Sequence, residues 1–364
     1  MKNYPVILDA FILPDGERTA VPFGNGHINN TFLIRIEGTD KQYILQRINS
    51  YVFIRPKDVM ENIRRVTDFL RVKIAGQGGN PDRETITLVP SRSGAAYAED
   101  SEGQIWRVML FVPDTFSPEL PDDLNILEEC GGAFGRFTRL LDDFPASSLH
   151  ETIHAFHDTP SRLSQLEDAV KKDPLDRLKD IPEEIAFARS CEAETRVLTD
   201  ALAAGKLPLR VTHNDTKVNN VLLDRYTKKA VCVIDLDTVM PGLLAYDFGD
   251  AVRVGACSAA EDEQNLDLIH LELSKYRAFS RGFLSQLNGI LSRDELLSLE
   301  AGARIMTLEN GLRFLADHLN GDVYFKIHRP GQNLDRARAQ FTLFREMKKH
   351  SAEMREILLE LYQG

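Results

Sequence analysis

Val211-Thr212-His213-Asn214-Asp215-Thr216-Lys217-Val218-Asn219-Asn220 leads from an apolar approach into a polar loop, and Val233-Ile234-Asp235-Leu236-Asp237 follows it. Between the two, Val221-Leu222-Leu223 and Ala230-Val231-Cys232-Val233-Ile234 read as short apolar strands separated by the polar turn Asp224 to Lys229. Asn220 comes five residues after Asp215, and Asp235 ends the returning strand. A loop of that length holds one oxygen-bearing side chain against an acceptor while another turns toward a cation. Phosphoryl transfer from ATP needs an acceptor hydroxyl placed in line and Mg²⁺ on the β- and γ-oxygens, and Asp215, Asn220 and Asp235 supply the hard oxygen donors for those tasks. Each has a bland alternative: Asn220 capping a turn, Asp235 closing a strand, His213 packing in a core. All three in this order between apolar strands favour the chemical reading.

Outward from this stretch the chain divides in two. Upstream, Thr31 to Ile36 and Tyr43 to Ile48 are β-prone runs joined through Gly38-Thr39-Asp40, and strands resume at Thr85 to Val89 and Ile105 to Phe111. One helix interrupts them, with Val59, Ile63, Val66 and Leu70 at spacings of three and four until Gly76, Gly78 and Gly79. After the stretch Pro113 to Pro121, helical periodicity dominates at Leu127 to Leu141, Pro182 to Ala204, Leu266 to Leu287 and Leu334 to Tyr362. The expected class is α+β, with the outline of a two-lobed protein-kinase-like fold. A small β-rich N-terminal lobe spans residues 1–112 and a large mainly helical C-terminal lobe spans residues 113–364.

Composition narrows the partners. The 364 residues are 43% hydrophobic, enough for a large core, and carry a formal net charge of -11, which disfavours nucleic acid or anionic lipid as a partner. The four cysteines lie far apart with no CxxC pair, as in a reducing, cytoplasmic setting. Asp9 interrupts the apolar run Val6 to Leu13, so neither a signal peptide nor a membrane span is expected.

The pattern His213-x-Asp215-x4-Asn220, with Ile234-Asp235 downstream, resembles aminoglycoside and choline kinase-like phosphotransferases. That resemblance implies that Asp215 orients the acceptor hydroxyl and accepts its proton, that Asn220 and Asp235 coordinate Mg²⁺, and that His213 supports the loop. In Phe23-Gly24-Asn25-Gly26-His27-Ile28-Asn29-Asn30-Thr31, glycines at positions 24 and 26, with Asn29, would let the backbone approach nucleotide phosphates. The family's strand lysine is missing, because Tyr43-Ile44-Leu45-Gln46-Arg47 has Gln46 in its place. Strand alternation allows Gln46 or Arg47, not both, to face the nucleotide; Gln46 is the register-based choice. Leu110, Phe111 and Val112 stand where related kinases offer backbone groups to adenine.

Longer runs resemble bacterial N-acetylhexosamine 1-kinases. They are Gly26-His27-Ile28-Asn29, Tyr43-Ile44-Leu45-Gln46, Phe156-His157-Asp158-Thr159-Pro160, Ile234-Asp235-Leu236-Asp237-Thr238, Asp247-Phe248-Gly249-Asp250, Leu312-Arg313-Phe314-Leu315-Ala316-Asp317 and Gly321-Asp322-Val323-Tyr324-Phe325. This resemblance implies a sugar acceptor phosphorylated at its anomeric hydroxyl, with His27, Asp237, Thr238, Arg313 and Tyr324 as sugar contacts. Choline, ethanolamine, an amino acid or an aminoglycoside is the alternative acceptor, and an inactive nucleotide-binding protein is the alternative of another class. Two motifs are set aside. Asp247-Phe248-Gly249 spells the metal triplet of protein kinases but comes too late in the chain, so Asp247 is expected to cap a helix or brace the catalytic loop, and Asp250 to pair with Arg253. His150, His154 and His157 have helical spacing, yet Pro160 and the absence of a second ligand cluster argue against a zinc site.

Overall fold

The computed structural model describes residues 4–24, 29–119 and 122–362. The chain forms two compact units: one of residues Met1–Ser117, Asp143–His154 and Val221–Pro241, the other of Pro118–Asp142, Ala155–Asn220 and Gly242–Gly364.

The first unit is built on an antiparallel sheet. After a short helix α1 (Tyr4–Leu8) come strands β1 (Arg18–Pro22), β2 (Asn30–Ile36) and β3 (Gln42–Arg47), then helix α2 (Pro56–Gly76), then β4 (Leu88–Val89), β5 (Ala98–Glu99) and β6 (Ile105–Leu110). Their spatial order is β1-β2-β3-β6-β4, with β5 also on β6. The expected β2–β3 hairpin turns through Gly38 at φ +83, a left-handed conformation glycine adopts without steric cost. Because side chains alternate, one face carries Ile34, Ile36, Tyr43, Leu45, Trp106 and Val108, packed on Ile7, Leu8 and Phe11. The opposite face sets Gln46 directly across from both Thr31 and Arg107.

Helix α2 starts with Pro56 in its first turn and buries the stripe Val59, Ile63, Val66 and Leu70, as its periodicity predicts. Asn62 shares the stripe and is fully buried. Its amide accepts the His150 N–H at 2.9 Å and donates to the His150 carbonyl at 2.8 Å and the Val239 carbonyl at 2.9 Å. A buried amide satisfied three times ties two distant chain segments to the first unit. The two apolar strands expected around Asp224 are present as Val221–Asp224 and Ala230–Val233, and Thr115–Phe116 pairs with the former.

The second unit is mainly helical. The long helix Arg293–Leu319 packs against Leu244–Gly255, Gln332–Lys349, Thr159–Lys172 and Ser351–Leu361, while Leu124–Leu140 packs on Leu273–Ser285. Three expected helices are broken: 182–204 divides at Cys191 and Arg196, 334–362 divides at His350, and 266–287 begins as a 3-10 turn before its helix starts at Leu273. The long helix has a capping box, Ser292 with Glu295, but no polar face. Leu299, Ile305, Leu308 and Leu312 are buried on it, and so are Glu300, Thr307 and Glu309, so no amphipathic stripe marks it in the sequence.

Close crossings hold this unit together. A Cβ on Gly302 of the long helix would collide with the Ala245 carbonyl, and one on Gly249 with the Gly302 carbonyl. Gly302→Ala is therefore expected to lower stability by about 1–3 kcal/mol through overpacking. Urea unfolding measures this, and an unchanged midpoint would mean that the crossing yields at little cost.

Candidate active site

In the second unit the strand Arg210–Thr212 delivers the loop 213–220, and Arg210 is itself anchored to Glu295 at 2.6 Å and Asp142 at 2.5 Å. Asn214 has φ +63, a conformation that asparagine tolerates better than most residues. What holds it is Asp247, whose carboxylate accepts the backbone N–H of His213 at 2.8 Å and of Asn214 at 2.7 Å. The Thr216 hydroxyl donates to the Asp247 carbonyl, and the Thr212 hydroxyl donates to the Asn214 side chain at 3.0 Å. Asp247 thus braces the loop, whereas the helix cap is Leu243. Burial pushes the Asp247 carboxyl up to about 6, against the pull of His213 and the two backbone donors.

His213 is fully buried edge-on to Phe134 and Phe137, and its Nδ1 accepts the Asp215 N–H at 3.2 Å. Asp215 meets Lys217 Nζ at 3.0 Å. Burial would raise the Asp215 carboxyl, but the charges of Lys217 and His213 outweigh it and hold the group below the usual carboxylate range. Asn220 Nδ2 donates to the Asp215 carbonyl at 2.8 Å and lies 3.4 Å from its carboxylate. That orientation turns the amide nitrogen to Asp215 and leaves Oδ1 as the hard oxygen suited to a cation. Asp250 bonds Arg253 at 2.9 Å as the i, i+3 spacing suggests.

A second cluster of this unit adjoins the loop. His157 Nδ1 lies 2.8 Å from Glu309, its Nε2 lies 3.3 Å from the Asn214 carbonyl, and the Thr159 hydroxyl donates to Glu309 at 2.8 Å. Burial opposes ionisation of Glu309, yet the charges of His157, Arg313 and Arg162 keep its carboxyl below the usual range. Phe156 packs on His157 with ring centres 4.4 Å apart. The Arg313 guanidinium sits 5.3 Å from the Phe156 ring, 5.3 Å from Phe325 and 5.9 Å from Tyr324. Asp317 shapes that wall by accepting the N–H groups of Val323, Tyr324 and Phe325 at 3.0, 2.8 and 2.9 Å.

The first unit holds the remaining candidates. Asp235 is exposed just past the strand Ala230–Val233, with φ +63, and opens the 3-10 turn Leu236–Thr238. Asp237, by contrast, is buried: Arg107 pairs with one carboxylate oxygen, and Asn29 donates to the other at 2.6 Å. Arg107 also donates to Gln46 Oε1 from Nε at 2.9 Å and Nη2 at 2.6 Å, while Gln46 donates to Thr31 at 3.0 Å. Arg47 points to the other face, 5.9 Å above the Trp106 ring. Sequence reasoning missed Arg107, though a charge inside the apolar run Ile105 to Leu110 was a visible signal.

The other nucleotide candidates sit at the sheet's edge and end. Gly24 has φ +78. The Leu110 N–H bonds the Thr87 carbonyl, the Phe111 N–H bonds the Gln42 carbonyl, each at 2.9 Å, and the Val112 carbonyl accepts from Thr115. Gly26 and His27 lie outside the described residues. Thr238 is half-buried.

Residues 150–157 form turns and bends instead of a helix, and each histidine has its own carboxylate: Glu61 for His150, Glu151 for His154, Glu309 for His157. Among the described residues no three His, Cys, Asp or Glu side chains cluster as a metal site. The carboxamide oxygen of Asn220 and the carboxylate of Asp235 are each hard oxygen donors of the kind that Mg²⁺ takes. Among the described residues no helix is long and apolar enough to cross a membrane.

An antiparallel N-terminal sheet followed by a mainly helical region is the α+β kinase-like fold. Residues 19–283 match the phosphotransferase enzyme family, and the chain belongs to that family. In fold it is similar to an aminoglycoside phosphotransferase from Alicyclobacillus acidocaldarius, with 15% identity, 98% of this chain and 94% of that one covered, and a TM-score of 0.58. A choline kinase from Cryptosporidium parvum matches at 14% identity, 92% and 90% coverage and a TM-score of 0.60. Spectinomycin phosphotransferase in complex with ADP and spectinomycin matches at 14% identity, 99% and 98% coverage and a TM-score of 0.52.

The Arg107–Asp237 pair generates a stability prediction. Arg107→Met strands a buried carboxylate and is expected to cost about 3–5 kcal/mol, whereas Arg107→Met with Asp237→Asn removes both charges and costs less. Denaturant unfolding of the two variants decides it; equal losses would mean that Arg107 contributes packing alone.

Proposed function

We propose that this phosphotransferase moves the γ-phosphoryl group of ATP to the anomeric hydroxyl of an N-acetylhexosamine, N-acetylglucosamine or N-acetylgalactosamine, giving the sugar 1-phosphate. The observation that carries the choice of acceptor is Arg313. Its half-buried guanidinium makes no hydrogen bond or ion pair among the described residues and lies among the rings of Phe156, Tyr324 and Phe325. Arg162 is close enough that, after burial, the charge of Arg313 lowers its pKa further. A cationic acceptor such as choline or an aminoglycoside would be repelled there. A neutral sugar gains donors for its hydroxyl and carbonyl oxygens and an aromatic wall for its apolar face. The resemblance to N-acetylhexosamine 1-kinases along the chain supports the same choice.

In this reading Asp215 accepts the proton of the anomeric hydroxyl as that oxygen bonds to the γ-phosphorus and the bond to the ADP oxygen breaks. Its depressed pKa keeps the carboxylate ionised and ready to orient the hydroxyl. Asn220 and Asp235 would supply oxygen ligands to Mg²⁺, which would neutralise charge on the transferring group. Gly24, Gly26, Asn29 and Gln46 serve the nucleotide phosphates, and Leu110 to Val112 the base. His27, Asp237, Thr238, Arg313 and Tyr324 serve the sugar. Catalysis rests on positioning and charge stabilisation, and no phosphoenzyme forms.

³¹P NMR of the purified protein with ATP, Mg²⁺ and each sugar is expected to show a phosphate coupled to the anomeric proton. ATP left intact with both sugars in folded protein would remove the hexosamine assignment, and turnover with choline instead would replace it. Asp215→Asn is expected to lower kcat by ~10²- to 10⁴-fold, the usual worth of a general base. Unaltered turnover would take that role from Asp215.

A further inference from the structure

The loop that carries Asp215 is fixed at Asn214 by more than Asp247. The Asn214 N–H goes to Asp247 and its side chain to Thr212, and its carbonyl faces His157 Nε2 at 3.3 Å. His157 is buried, and on its other side Nδ1 meets Glu309 at 2.8 Å. Glu309 is fully buried on the long helix and already accepts the Thr159 hydroxyl. A carbonyl oxygen only accepts, and so does an ionised carboxylate. Both ring nitrogens of His157 therefore need a hydrogen to make both bonds.

We infer that His157 and Glu309 form a positioning pair, in which a doubly protonated imidazole clamps the Asn214 carbonyl and so fixes the Asp215 carboxylate for phosphoryl transfer. Glu309 supplies the counter-charge that makes a buried imidazolium tenable, since an unpaired charge there would be expelled. The pair lies on the acceptor side of the loop: Arg313 is one helical turn beyond Glu309, and Phe156 stacks on the His157 ring. Neither His157 nor Glu309 is assigned contact with the reacting atoms. Their effect passes through the main chain of Asn214. The inference rests on the kinase reading for its kinetic consequence, and on geometry alone for the protonation of the ring.

The test uses the full chain as wild type, His157→Gln, Glu309→Gln and the double variant. A glutamine at 157 cannot donate at both ends, while the double variant leaves neither an unpaired imidazolium at 157 nor an unpaired carboxylate at 309 and keeps fold loss from masking the result. With ATP, Mg²⁺ and the accepted sugar, His157→Gln and the double variant are expected to lose ~10- to 100-fold in kcat, with KM for ATP within about twofold. The double variant is expected to melt near the wild type and to lose no more kcat than His157→Gln, because the two residues act as a unit. Independently, ¹⁵N–¹H spectra of histidine-labelled protein at neutral pH, assigned by the signals lost in His157→Gln, are expected to show hydrogen on both His157 nitrogens. Wild-type kcat in the folded double variant, or a single-hydrogen tautomer, overturns the pair. A wild type inactive toward both sugars but carrying the doubly protonated ring would sink the acceptor assignment and leave the clamp standing.

Discussion

One carboxylate carries the geometry of the loop 213–220. Asp247 accepts two consecutive N–H groups, those of His213 and Asn214, from inside the protein. The left-handed backbone of Asn214 presents those two donors to the same acceptor, and without the acceptor that backbone would relax. The cost is visible in the carboxyl itself, whose pKa burial has pushed up to about 6. A group that is this desolvated and still held by two donors is a rigid one. Rigidity is what phosphoryl transfer asks of a protein that offers little covalent chemistry.

The first unit solves a related problem with the opposite charge. Arg107 enters an otherwise apolar strand and is kept there by Gln46 across the ladder and by Asp237 from a distant segment. Gln46 suits this place better than a lysine would, because its carbonyl accepts two guanidinium N–H groups while its amide reaches Thr31. A lysine there would set a second cation beside the first. The positive charge on this face of the sheet stands on β6.

The sequence made legible what is local. A motif such as His213-x-Asp215-x4-Asn220 keeps its spacing within one loop, and the stripe of α2 and the β2–β3 hairpin repeat over a few residues. Arg107 and Asp237 are 130 residues apart in the chain, and nothing near either one announces the other. The long helix escaped for a different reason. Amphipathicity signals a helix that faces water on one side, and a helix buried all round, with Glu300, Arg304 and Glu309 paired inside, has no such face. The register choice between Gln46 and Arg47 could be stated from alternation, but only cross-strand pairing shows which face holds the polar groups.

The buried polar residues of the two units share a physical character. Asn62, Arg107, His157, Asp247 and Glu309 are all polar and all less than a tenth exposed, and each makes hydrogen bonds to a segment far away in the chain. A core of hydrocarbon alone would be tolerant of small slips, since dispersion is weakly directional. Buried hydrogen bonds are directional, and a slip that breaks one leaves a desolvated group unpaired. The interior polar residues therefore convert a stable fold into a precise one. Asn214 and Asp235 show what that precision serves: both hold positive φ, and both lie in segments that other parts of the chain fix through buried side chains.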